Sequence, residues 1–435
     1  MAAEMLVVRR TAGRRAAIDA LARRIVGPIT GLMPNLGFHT RPRHGTRVVI
    51  TTGDLTGVHH LTGGSPAKPG SHHIGAAAVT MDDALIRTLA ESIERYGHYA
   101  FPAHHRFAFA ARADLDGPSL APVELFDDEQ FADPDFLFDP YDPDAPLGWW
   151  RMAALTGGPD LCVPAQSTLV GYPPRLAEDE PWLHAAVTTG SATHTDPARA
   201  LLSAIQELVQ LDATMGHWHT ATRSARITFD QRTEALAGLI ARYWDRRAPY
   251  PEFHLLPSPD LPGFTVACLI RPAGDVGPAV SVGLGADTSL TSAMHKALLE
   301  GTTLTTIPEE EPSPGDELFL DLEANVSHYA RPENAHVVED RFARCDAVRA
   351  SDLPPDRGDD VRTTVRRYVT AFRATGKRLL YGDLTTPDVR RLGFHVLRVW
   401  SPDTLPLCLP GAPTGRHPRY RDYGGYSNTR PHPYP

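Results

Sequence analysis

Residues 196–214 read DPARALLSAIQELVQLDAT. Asp196 suits a helix N-cap, and Pro197 suits the first helical position, where a missing N–H costs no hydrogen bond. Leu201, Leu202, Ile205, Leu208 and Val209 recur at helical spacing and make one apolar stripe. At about 100° per residue, Ser203, Glu207, Gln210 and Thr214 fall on the opposite face. That face carries oxygen-bearing side chains and no lysine.

The same design occurs upstream, in MDDALIRTLAESIERYGHYAF at 81–101. Asp82 or Asp83 is expected to cap this helix. Leu85, Ile86, Leu89, Ile93 and Tyr96 form its apolar stripe, and Arg87, Glu91, Glu94 and His98 lie opposite. Residues three apart on a helix are neighbours, so each helix presents a pair: Glu91 with Glu94, and Glu207 with Gln210. If the helices face each other, three carboxylates and an amide oxygen converge. Such a cluster repels itself unless cations neutralise it. All-oxygen ligands suit hard cations, and magnesium keeps waters and shares substrate phosphates. The spacing therefore points to a magnesium–nucleotide site between two helices. E-x-x-E is a common spacing, however, and on spacing alone two surface helices with solvated glutamates are the commoner explanation.

Four stretches, taken together, resemble the YcaO family: ESIERYG at 91–97, VPAQ at 163–166, TTGSATHTDPARALLSAIQELVQLDA at 188–213 and YGDLTTPDVRRLGFHVLRVWSPDTLPL at 381–407. Their order and spacing are the specific part, and the similarity runs from near residue 75 to the C-terminus. The last five residues, Pro431-His432-Pro433-Tyr434-Pro435, resemble the P-x-P-x-P tail of the subgroup that makes azolines in ribosomal peptides.

The resemblance implies an α+β fold of YcaO type, with mixed and antiparallel sheets and helices packed around a nucleotide cleft. It implies Mg2+ on Glu91, Glu94, Glu207 and Gln210. It implies ATP contacts from Arg95, Ala192, Thr195, Lys296 and Glu300, and an active site lined by Pro431, Pro433 and Pro435. The implied reaction is ATP-dependent cyclodehydration of Cys, Ser or Thr residues in a precursor peptide to thiazoline or oxazoline, through phosphorylation of the backbone amide oxygen. The implied organisation is an N-terminal lobe or docking region at 1–60, a catalytic domain at 61–410 and a proline-rich tail at 411–435. Some positions depart from the family pattern: Arg87 stands where Ser is frequent, Ala192 lacks a hydroxyl, and Leu211 stands where Arg is frequent. Around the helix at 291–303, Gly301 and Leu304 replace an expected glutamine or arginine.

The chain shows no evident leader-recognition segment. The precursor peptide, leader and core together, is therefore expected to be presented by a separate leader-binding partner of ubiquitin-activating-like type, with a dehydrogenase as a candidate downstream. Homodimerisation is left open. Two other readings compete. One is a YcaO activation with a different nucleophile, giving a thioamide or amidine. The other is a degenerate scaffold in a biosynthetic complex.

Composition sets outer bounds. The chain has 435 residues, long enough for a large core. A net charge of −9 argues against a general nucleic-acid binder, which needs a basic face. Cys162, Cys268, Cys345 and Cys408 are far apart and form no C-x-x-C, so a zinc knuckle is not expected. Few cysteines and no signal sequence suggest the cytoplasm. No run approaches the roughly 18 apolar residues that span a bilayer.

Along the chain, a helix is expected near Ala16–Val26 and a strand at 46–52. The region 61–80 is rich in Gly, Ser, Pro and His. Phe107 to Ala111 alternates weakly, as a strand would. The acidic, aromatic and proline-rich stretch 125–150 reads as a long surface loop. Strands are expected around Trp149–Trp150, in 163–172 and in 184–190. ARITFDQRTEALAGLIARYWD at 225–245 reads as a helix, TVACLI and AVSVGLGAD as strands, and 291–303 as a further helix. An acidic loop is expected at 308–317, then a helix, a loop and a buried strand over 368–400. Composition alone makes 411–435 a flexible tail.

Overall fold

The computed structural model describes residues 12–29, 31–39, 46–55, 73–273, 277–305 and 322–434. In chain order the helices are α1 (Ala12–Ile25), α2 (Met81–His104), α3 (Asp128–Ala132), α4 (Pro197–His219), α5 (Glu234–Tyr243), α6 (Leu290–Leu304), α7 (Leu322–Ala330), α8 (Pro332–Ala343), α9 (Val361–Ala374) and α10 (Pro387–Arg391).

The described strands form three sheets. The smallest has the order β1 (Gly37–His39), β2 (Val49–Asp54), β3 (His73–Ala78) and is antiparallel. The six-stranded sheet runs β4 (Ala108–Ala110), β5 (Leu147–Ala154), β13 (Leu380–Asp383), β14 (His395–Trp400), β7 (Ser191–His194), with β6 (Leu161–Pro164) paired to β5. The five-stranded sheet runs β11 (Ser281–Asp287), β10 (Phe264–Ile270), β9 (Glu252–Leu256), β8 (Ala225–Thr228), β12 (Asp346–Arg349). It is antiparallel except for the β12–β8 pair.

Alternation along the strands fixes where the helices lie, because successive side chains point to opposite faces. Val396 and Leu380 pack with the α2 residues Leu85, Leu89 and Ile93. Their strand neighbours Val399 and Leu379 pack with the α4 residues Ala204, Ile205 and Leu208. So α2 and α4 cover opposite faces of the six-stranded sheet. The second half of α4, Leu211 to Trp218, packs on Ala267, Leu269, Val282 and Leu284. The alternate residues Val266, Cys268 and Ile270 meet Leu290, Ala293 and Ala297 of α6. The five-stranded sheet is therefore sandwiched between α4 and α6. The small sheet closes the circuit: Thr51 and Thr88 bond side chain to side chain at 2.6 Å against α2, while Ile50 and Ala77 pack on Leu299 of α6. Three helices alternate with three sheets around one centre.

Glycine permits the closest of these contacts. A Cβ on Gly283 would stand 2.0 Å from Gly301 N and 2.3 Å from the Ala297 carbonyl, and one on Gly285 would stand 2.3 Å from the Ala293 carbonyl. The backbone of α6 thus lies directly on β11.

Several expectations shift. The N-cap of α2 is Thr80, which accepts from Asp83 N at 3.2 Å, rather than Asp82 or Asp83. The expected helix at 225–245 is β8 followed by α5, because Ile227 enters the core as a strand residue beside Phe253. Segment 184–190 carries no strand, and the stretch after Pro164 turns into a short 3-10 helix. The loop at 125–150 contains α3 and the start of β5. The expected acidic loop at 308–317 lies outside the described residues.

The largest change concerns the C-terminus. Residues 411–434 are folded against α4, which runs from Pro197 to His219. Pro418–Tyr423 forms a 3-10 helix. Trp218 Nε1 donates to the Arg430 carbonyl at 3.0 Å, and Tyr329 OH donates to the Pro431 carbonyl at 2.6 Å. His432 Nε2 lies 2.7 Å from the Cys408 carbonyl, and Tyr434 is fully buried. The buried area of Tyr420, Tyr423 and Tyr434 outweighs the disorder that Pro, Gly and Arg would favour.

Candidate active site

Each of the three central helices sends carboxylates towards the common centre. Glu91 and Glu94 come from α2, Glu207 from α4 and Glu300 from α6. Each sheet supplies a partner. The Gly75 amide of β3 bonds Glu91. Ser191 Oγ of β7 donates to Glu94 Oε1 at 2.7 Å. Leu284 N of β11 donates to Glu300 Oε1 at 3.1 Å. Burial pushes the Glu91 and Glu300 carboxyls up to about 7, and raises Glu94 and Glu207 too. Glu94 adds to the rise at Glu207, as like charges do in one cleft.

Arg398 faces this cluster. It lies on β14 opposite Ser191 and is 2% exposed. Glu207 and Glu94 keep it cationic, while burial lowers it to about 10. Its Nε and Nη1 bond to nothing. Arg95 Nη2 is 3.5 Å from Glu91 Oε1, and Glu91 remains 31% exposed, so the cleft opens on that side.

The four carboxylates form a set of oxygen donors whose carboxyls burial raises, with mutual repulsion adding to the rise at Glu91, Glu207 and Glu300. Both features fit magnesium and a polyphosphate. Among the described residues no three acidic, His or Cys side chains close into one metal cage.

The other expected residues are placed as follows. Gln210 lies on α4 three residues after Glu207. Thr195 is exposed just before the α4 N-cap. Ala192 is buried in the apolar cluster beneath α4. Lys296 bonds Asp287 Oδ2 at 2.8 Å and the Ala286 carbonyl at 2.9 Å. Pro431 and Pro433 flank His432 beside Cys408 and Trp218, and Trp218 stands about 16 Å along α4 from Glu207 at 1.5 Å per residue. Pro435 lies outside the described residues. Sequence reasoning did not single out Arg398, Ser191, Gly75 or Leu284. Only Arg398 left a signal, a lone cation in the apolar run FHVLRVW.

A family model described as YcaO cyclodehydratase, ATP- and Mg2+-binding, matches residues 75–405. No curated protein matches the chain. Among solved structures, the fold is similar to a heterocyclase in complex with substrate and cofactor, with TM-score 0.72 and 19% identity over 99% of this chain and 59% of that one. This chain thus spans 59% of the heterocyclase's length. YcaO from Methanopyrus kandleri, bound with AMPPCP and Mg2+, gives TM-score 0.63 and 16% identity over 92% of this chain and 93% of that one. The E. coli microcin synthetase McbBCD complex gives TM-score 0.58 and 14% identity over 94% and 99%. With three quarters of its length matched by that model and a carboxylate cleft at its centre, the chain belongs to the YcaO cyclodehydratase family.

Proposed function

We propose that this chain closes Cys, Ser or Thr side chains of a ribosomally made precursor peptide onto the preceding backbone amide, forming thiazoline or oxazoline rings at the expense of ATP. The observation that carries the proposal is the meeting of Glu91, Glu94, Glu207 and Glu300 from three helices beside Arg398, whose buried Nε and Nη1 have no hydrogen-bond partner. In this reading Glu91, Glu94, Glu207 and Gln210 hold magnesium, which neutralises phosphate charge. Arg398 and Arg95 face the phosphates, and Thr195 lies at the cleft rim. Glu300, fixed by the Leu284 amide, keeps α6 in register with the site.

The reaction needs little covalent chemistry from the protein. Phosphoryl transfer is catalysed mainly by positioning and charge neutralisation. The amide oxygen takes the γ-phosphoryl group as ADP leaves, and phosphate then departs as the ring's C=N bond forms. Pro431 and Pro433 belong to a segment anchored along α4, so in this reading that segment acts on the site through the helix.

A separate protein presents the precursor's leader in this reading. The microcin synthetase similarity supports it, since that neighbour is a complex of several proteins. The test is mass spectrometry of a candidate precursor after incubation with the chain, its partner and Mg-ATP, beside E207A. Loss of one water per ring in wild type and none in the variant supports the reading. Unchanged peptide with a competent partner overturns it.

A further inference from the structure

Three of the central carboxylates are held by strands, and the holds differ in kind. Glu91 and Glu300 take backbone amides, from Gly75 and Leu284. Glu94 takes a side-chain hydroxyl as well. Ser191 Oγ donates to its Oε1 at 2.7 Å, and the Thr193 amide of the same strand also bonds this carboxyl. Ser191 is 1% exposed, so bulk water does not compete for the bond.

The hydroxyl sits between two acceptors. Its oxygen is 2.7 Å from Glu94 Oε1 and 2.6 Å from the Thr188 carbonyl. It has one proton and can serve only one of them. Thr188 O already accepts from Ser191 N at 3.0 Å, whereas a carboxylate forms the stronger, charge-assisted bond. An ionised Glu94 therefore takes the proton. The backbone aims the hydroxyl there. Gly190 has φ +83°, a conformation that favours glycine, and its carbonyl accepts from Val399 N at 2.7 Å. A Cβ on Gly190 would stand 2.6 Å from the Val399 carbonyl. Ser191 then pairs with Arg398 across the β7–β14 ladder. One strand pair thus carries both the anchor of Glu94 and the cation facing it.

We propose that Ser191 is a positioning residue for magnesium: it fixes Glu94 through Oε1, so that the remaining lone pairs of that carboxylate are presented to the ion. The assignment rests on the reading in which Glu94 is a magnesium ligand. A carboxylate offers about four lone-pair sites, and β7 occupies two of them through Ser191 and Thr193. A ligand held by such outer partners keeps its orientation before the ion arrives, so less ordering is required on binding. Ser191 acts on the ion only through Glu94.

The test measures AMPPCP binding to the full chain by calorimetry over a series of Mg2+ concentrations, with S191A and S191C beside wild type. Alanine removes the donor, whereas cysteine fills the space but donates only weakly. Both variants are expected to need about 10–100-fold more Mg2+ for half-maximal binding. At saturating Mg2+ their AMPPCP affinity should return to within about threefold of wild type, as mass action requires when only the metal step is weakened. Thermal melting in EDTA shows which variants are folded, and either folded one decides. An unchanged Mg2+ requirement in a folded variant overturns the assignment, and cysteine alone unchanged marks a packing role. A loss that saturating Mg2+ does not restore overturns it too. Wild-type binding that is indifferent to Mg2+ overturns the magnesium reading itself and Ser191's role with it, a result distinguishable because it needs no variant.

Discussion

Arg419 meets Asp212 side-on, Nη2 2.7 Å from Oδ2 and Nε 3.1 Å from Oδ1, and neither side chain reaches solvent. Tyr423 OH donates to the same Oδ2 at 2.8 Å, and Leu405 N to Oδ1 at 2.9 Å. Arg419 Nη2 also reaches Asp260 Oδ1 at 2.7 Å. Asp212 follows Gln210, a proposed magnesium ligand, by two residues on α4, so this pair ties the C-terminal segment to the helix that carries Glu207. R419A leaves Asp212 buried without its cation and is expected to cost about 3–5 kcal/mol. The apolar double variant R419M/D212L should cost less than R419A alone. Denaturant unfolding of both decides it, and an R419A cost under about 1 kcal/mol refutes the tie.

Without magnesium, the raised carboxyls set a pH trend. The unfolded chain releases these protons near 4.5, whereas Glu91 and Glu300 hold theirs to about 7 in the fold. Their contribution is fully present below 4.5 and is lost as pH rises through 7. The buried histidines have the opposite sign, since their folded values are lowered. Comparing E207Q with wild type cancels them. E207Q removes one member of the repelling set, so it should melt higher at pH 7.5 in EDTA by about 2 °C or more. The difference should vanish by about pH 4.5, where both chains are protonated. A pH-independent difference in a melting series rules this out.

Much of this centre was legible because amphipathic period records a two-sided helix. Glu91, Glu94 and Glu207 could be placed on polar faces from spacing alone, and the apolar runs at 265–270 and 279–287 declared their strands. The carboxylates' partners were illegible for a physical reason. Gly75 and Leu284 act through backbone amides, which every residue carries. Arg398 interrupts an apolar strand at one position, a pattern that reads as core. The tail misled through composition, since Pro, Gly and Arg masked tyrosines that bury about as much area as core residues.

Arg398 should matter to turnover more than to folding. R398M removes the buried cation facing Glu94 and Glu207, and their carboxyls should rise further. Peptide-dependent ATP hydrolysis is expected to fall about 10²–10³-fold, the usual cost of losing a preorganised charge in a dry site. Hydrolysis within about threefold of wild type would place Arg398 outside the chemistry.

The contact between α6 and β11 offers a test without touching a charge. In G283A the new methyl must displace Gly301 N and the Ala297 carbonyl. The expected cost is about 1–3 kcal/mol. Glu300 should move with its helix, weakening AMPPCP–Mg2+ binding measured by calorimetry. G238A is the control, since nothing lies within 4 Å of a Cβ there. Equal nucleotide affinity in both variants would show that α6 need not lie so close.

The alternation of three helices with three sheets also has a consequence for biogenesis. The small sheet and α2 emerge from the ribosome first, α4 and α6 follow, and β14 with Arg398 comes only near residue 400. Until then Ser191 lacks its strand partner and the carboxylates lack their buried cation. If Arg398 faces the phosphates as proposed, the nucleotide site is complete only once β14 has been made. In that reading, chains that stop before β14 are expected to consume no nucleotide.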